Sequence, residues 1–96
     1  MNQSHCWICS YDIRDAKRLK KLHDLLAMSG IAINYSVFYL ILHDQQYRAI
    51  CERIQKIIRS EDDVRLYRCA SLQTATTIGF VSPIGIDLIG AQGFLL

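Results

Sequence analysis

Ile31-Ala32-Ile33-Asn34-Tyr35-Ser36-Val37-Phe38-Tyr39-Leu40-Ile41-Leu42 is dense in β-branched and aromatic residues, the composition of a strand. It is twice the usual strand length of roughly five to six residues, so the run is expected to bend into two strands. No Gly, Pro or Asn-Gly pair places the bend, and the pattern alone leaves the hairpin unproven. Upstream the spacing becomes helical. Leu19, Leu22, Leu25 and Leu26 follow Asp15, a candidate N-cap, and Gly30 supplies the stop. Downstream, Asp44 is the expected N-cap of a second helix, in which Tyr47, Ile50, Ile54, Ile57 and Ile58 recur on one face. Arg48, Arg53, Lys56 and Arg59 fall outside that face.

A strand flanks each helix. The first runs from His5 to Asp12; the last, Val64 to Cys69, follows the polar turn Ser60 to Asp63. Strand, helix, hairpin, helix, strand is the order of an α+β, ferredoxin-like βαββαβ sandwich, with two helices on one face of an antiparallel sheet. Both faces of the first strand are largely apolar: Trp7, Cys9 and Tyr11 alternate with Cys6, Ile8 and Ser10. Two helices cover only one face, so a twofold dimer packed sheet to sheet is expected to cover the other.

The chain has 96 residues, room for one core. Its 51% hydrophobic and 21% charged residues are those of an ordinary globular protein. The segment Met1 to His5 has no basic cluster, and Ser10 and Asp12 interrupt the apolar run that follows, which excludes a signal peptide. No stretch approaches the roughly 18 apolar residues of a membrane helix, and a cytoplasmic protein without membrane contact is expected. The net charge of +2 predicts little by itself, but all eleven Lys and Arg residues lie between Arg14 and Arg68. A basic body suits a phosphate backbone; the nearly neutral segment after Cys69 suits an apolar protein surface.

Cys6 and Cys9 form a CxxC, yet residues an odd number apart on a strand face opposite ways and do not converge on one metal. Cys51 and Cys69 stand singly, without the second pair that a zinc ribbon needs. Ordinary reduced, buried thiols are expected.

Three pieces, Tyr11-Asp12-Ile13, Tyr35-Ser36-Val37-Phe38 and Asp62-Asp63-Val64-Arg65-Leu66-Tyr67, resemble in order and separation the Cas-two family of CRISPR-associated adaptation nucleases. The resemblance covers about residues 5 to 69. It implies a ferredoxin-like homodimer, a metal-dependent endonuclease on single-stranded RNA or double-stranded DNA, acting with the adaptation integrase in spacer acquisition. It also implies that Asp12 is the catalytic and metal-binding residue, with one Mg2+ shared by the Asp12 pair of the dimer. Magnesium takes oxygen ligands and keeps several waters, so one carboxylate per subunit suffices only where two subunits share the ion. Arg14, Lys17, Arg18, Lys20 and Lys21 are the expected nucleic-acid-binding residues. The alternatives are a non-catalytic duplex-DNA-binding scaffold for the integrase and a related ribonuclease toxin of the same fold.

The resulting division is a nucleic-acid-binding or nuclease domain at 1–70 and a C-terminal strand and tail at 71–96 for dimer or integrase contact. Ile78 to Ser82 is the expected last strand, ended by Pro83. An exposed apolar tail is a liability, so strand addition to a partner is its expected role.

Overall fold

The elements β1 (Ser4–Asp12), α1 (Ala16–Ser29), β2 (Gly30–Asn34), β3 (Val37–His43), α2 (Asp44–Ile57) and β4 (Asp63–Cys69) follow the order read from the sequence. The computed structural model describes residues 3–71 together with 73, 76 and 78; the expected strand at Ile78 to Ser82, apart from Ile78 itself, and most of the tail lie outside the described residues. No helix among the described residues is long and apolar enough to cross a membrane.

The strands form one antiparallel sheet in the order β2-β3-β1-β4, with β1 and β3 at its centre. Register assigns each face. Trp7 opposes Leu40 and Cys9 opposes Phe38 on one side, while Cys9 opposes Leu66 and Tyr11 opposes Val64 on the other. These side chains meet Leu22 and Leu26 of α1 and Ile50 and Ile54 of α2 in a single core, so both helices lie on this face. The Trp7 ring stacks on Tyr47 of α2 at 4.1 Å between centroids. The result is the ferredoxin-like βαββαβ arrangement. The second face carries Cys6, Ile8, Ser10, Val37, Tyr39, Ile41, Tyr67 and Cys69. Ile41 and Tyr67 are each about half exposed there.

The long apolar run does bend into a hairpin, and its turn is Tyr35–Ser36. Ser36 has φ 58°, in the left-handed region that usually selects glycine or asparagine. Two hydrogen bonds hold the turn. Tyr35 N donates to Asn34 Oδ1 at 2.8 Å, and Tyr11 N donates to the Ser36 carbonyl at 3.0 Å.

Asp15 caps α1 as expected, its side chain accepting from Arg18 N at 3.0 Å. Gly30 ends the helix for a different reason from a left-handed cap. Its backbone is extended (φ −161°), and a Cβ there would overlap the Leu40 side chain and the Tyr39 carbonyl oxygen. The helix therefore runs straight into β2. Gly30→Ala is expected to destabilise the chain by about 1–3 kcal/mol, because a backbone carbonyl cannot rotate away as a side chain can. An unchanged urea midpoint would show that the junction relaxes freely.

The expected cap of α2 shifts by one residue. His43, not Asp44, is the N-cap: its Nδ1 accepts from Gln46 N at 3.3 Å, while Gln46 Oε1 accepts from His43 N at 3.0 Å. Only His43 has a side chain three positions on that reaches back to complete the capping box. Asp44 instead places a carboxylate in the first turn, where the helix dipole favours it.

Candidate functional site

Asp12 is the last residue of β1, at the end of the sheet where α1 begins and α2 stops. Its register partner on β4 is Asp63, so two carboxylates project from the same face on adjacent strands. Each has its own arginine. Arg14 Nη2 lies 3.2 Å from Asp12 Oδ2, and Arg65 grips Asp63 through Nε at 3.0 Å and Nη2 at 3.1 Å. The Asp12 and Arg14 side chains are each about two-thirds exposed, so this ion pair exchanges readily with solvent or an incoming phosphate.

Asp62 holds the loop between β1 and α1 in place. One carboxylate oxygen accepts from Arg14 N at 2.9 Å and Arg18 Nη2 at 3.1 Å; the other accepts from Arg18 Nε at 2.8 Å and Arg59 N at 2.8 Å. Four donors enclose the carboxylate so fully that its side chain has no exposed surface. The Arg18 guanidinium, followed by the Arg14 and Arg59 amides, holds the carboxyl far below the usual carboxylate range against the cost of desolvation. Arg18 also reaches Glu61 at 2.9 Å. The turn before β4 and the loop after β1 thus form one clamped unit.

The expected phosphate-binding residues occupy two environments. Arg14, Lys17, Lys20 and Lys21 are exposed, and the helical spacing sets the lysines opposite Leu22 and Leu26. Lys20 pairs with Asp24 at 2.8 Å, one turn on. Arg18 is drawn inward to the acidic turn, with its side chain only 19% exposed. Sequence reading missed this role because Arg18 and Asp62 are 44 positions apart, and local spacing carries no signal of their contact. It also left Tyr35 unweighed. At 97% exposure on the hairpin tip, Tyr35 presents an aromatic ring beside the same end of β1.

The donor chemistry of Asp12, a hard carboxylate oxygen, suits magnesium better than a soft metal. Among the described residues no group of three or more His, Cys, Asp or Glu side chains is placed to hold a metal ion.

The sequence profile of the family described as CRISPR associated protein Cas2 matches residues 5–77. The chain is similar to CRISPR-associated endoribonuclease Cas2 2 of Thermodesulfovibrio yellowstonii, with 35% identity over 85 residues, 85% of this chain and 93% of that relative. Its fold is similar to that of a hypothetical protein from Thermus thermophilus, with a TM-score of 0.69 and 28% identity, over 71% of this chain and 84% of the other. Streptococcus pyogenes Cas2 shares the fold at a TM-score of 0.64 and 24% identity, over 68% and 86% of the two chains. Motifs, fold and profile agree: the chain belongs to the CRISPR-associated Cas2 family.

Proposed function

We propose that this chain is a CRISPR adaptation protein that acts as a homodimer with the adaptation integrase, and that its paired Asp12 residues form a magnesium-dependent endonuclease site. The observation that carries the reading is Asp12 itself: an exposed carboxylate at a strand end, beside a clamped loop, with the Asp63 carboxylate opposite it on the neighbouring strand. The half-exposed Ile41 and Tyr67 on the sheet face without helices support twofold pairing. The relative from Thermodesulfovibrio yellowstonii is called an endoribonuclease, which favours RNA as one substrate.

In this reading the residues divide the work. Asp12 from each subunit supplies oxygen ligands, and the bound magnesium contributes activation of water and neutralisation of phosphate charge. Arg14 holds Asp12 in place before substrate arrives, then turns its guanidinium to a phosphate. Lys17, Lys20 and Lys21 hold the strand beyond the reacting phosphodiester, while Arg18 fixes the loop that follows Asp12. Tyr35 offers a stacking surface to an unpaired base.

A second reading, a duplex-DNA scaffold without catalysis, is favoured by the Arg14 guanidinium on the Asp12 carboxylate, since a resident cation competes with a metal. Magnesium-dependent cleavage of labelled single-stranded RNA and duplex DNA by wild type and Asp12→Ala separates the two. The expected result is loss of cleavage by at least about 100-fold with duplex binding retained. Salt-sensitive binding without cleavage by either protein would establish the scaffold instead.

A further inference from the structure

On the helix-bearing face, at the pole remote from Asp12, the last turn of α1 and the first half of α2 border a cleft of about 310 Å³. Its floor belongs to the core, since Leu42 and Ile50 are buried. Its mouth does not. Met28 on the α1 wall is 80% exposed, and Ala49 on the α2 wall is exposed as well. Gln46, Ala49, Ile50 and Arg53 follow one another at i, i+3, i+4 and i+7, so the α2 wall is a continuous helix face two turns long, about 10 Å. The twofold pairing proposed above uses the opposite side of the sheet and leaves this cleft open.

Charge at the cleft is one-sided. Arg53 is exposed and makes no ion pair among the described residues; neither does Lys21, one turn before Leu25 on the same stripe of α1. No Asp or Glu among the described residues lines the cleft, and Glu52, beside Arg53 in sequence, faces another way on the helix. We propose that the cleft between α1 and α2 is the docking site for an amphipathic helix of a protein partner, which seats aliphatic side chains against Leu25, Met28 and Ile50 and pairs an acidic residue with Arg53.

Both halves of the site choose this occupant. A phosphate backbone would satisfy Arg53 but leave Met28 and the aliphatic walls wet, whereas a helix presents apolar residues at i, i+4 and i+7 along the same two turns. The volume lies at the lower end of the roughly 300–1,000 Å³ of ligand sites, which suits a few side chains rather than a large cofactor. The thioether of Met28 adapts to different apolar neighbours. The Arg53 pair sets the direction and identity of the helix more than its affinity, because it stays at the solvent edge. The cleft shares no residue with the Asp12 site, so docking here does not depend on whether that site cleaves or only binds.

The test uses the full chain and labelled peptides of about 15 residues, long enough to be helical. One carries leucines at i, i+4 and i+7 with flanking glutamates; a second has the same composition with the leucines dispersed; a third has lysines for the glutamates. Binding is read by fluorescence anisotropy and by the Met28 methyl resonance, one of only two methionine signals in the chain and assigned with Met28→Leu. The first peptide is expected to bind saturably and shift the Met28 methyl, with the other two at least about tenfold weaker. Arg53→Glu should reverse the preference between the glutamate and lysine peptides, and Ala49→Trp, which fills the cleft from an exposed position, should abolish binding. No saturable shift of Met28, or equal affinity for all three peptides, would overturn the proposal. So would a Met28 shift produced by RNA or duplex DNA, by dilution of the chain alone, or by removal of residues 79–96, since each names a different occupant. The wild-type titrations decide this even where a variant folds poorly.

Discussion

Asp62→Asn is expected to lower the urea midpoint at neutral pH further than Lys20→Ala or Asp24→Ala, and to flatten the response of stability to acid. The reason lies in donor arithmetic. Four donors converge on the two Asp62 oxygens. An asparagine keeps one oxygen and turns an NH2 toward the other pair, donor against donor. It also removes the charge opposite a largely enclosed Arg18. The Lys20–Asp24 pair, by contrast, is exposed on both sides and worth little. The pH sign follows from the direction of the Asp62 shift. Its folded-state value lies far below the unfolded one, which is about 3.9. Its contribution is therefore complete above about pH 5 and is lost as pH falls through the carboxylate range toward the folded value. Wild type should lose stability steeply below about pH 4, and Asp62→Asn less steeply, in urea titrations at pH 7, 5 and 3. Parallel pH profiles would show that Asp62 is not ionised inside its cage.

Leu26→Ala should cost about 3–5 kcal/mol, the range for a leucine removed from a packed interior. Leu26 has no exposed surface, and the core of Cys9, Leu22, Phe38 and Leu40 closes around it from the sheet and α1. A domain of this size has about 5–15 kcal/mol in all, so the variant should lie near its unfolding threshold. The check is denaturant unfolding at fixed protein concentration, because any self-association adds to apparent stability. A loss under about 1 kcal/mol would mean that the space collapses, and that the face of α1 is misassigned. Leu19 serves as the internal comparison. It shares the helical spacing but is 38% exposed, so Leu19→Ala should cost much less.

Both helices and the outer strands were legible because burial on one side imposes a period that composition alone reveals. Leu22 and Leu26, or Ile50 and Ile54, can share a face only in a helix. The hairpin turn was not legible. Ser36 does the work of a glycine because Asn34 and Tyr11 supply hydrogen bonds around it, and Tyr11 is far away in sequence. The α2 cap was misplaced for a local reason: from Asp44 the third residue on is Tyr47, which cannot complete a capping box, whereas from His43 it is Gln46. At the site, the sequence singled out Asp12 through its motif and the lysines through their clustering. It could not separate Arg14, turned to Asp12, from Arg18, turned to Asp62, because that division depends on a turn more than forty residues away.

Gly30 joins α1 to β2 without an intervening residue, and His43 passes directly into α2. In an antiparallel sheet both joints lie at the end remote from Asp12, while the connections that have length, 13–15, 35–36 and 58–62, all lie at the Asp12 end. Within the described residues, insertions and deletions are therefore accommodated at one pole. Relatives can reshape the contour around Asp12 by varying these three loops, whereas the welded pole holds helix and strand in a fixed phase.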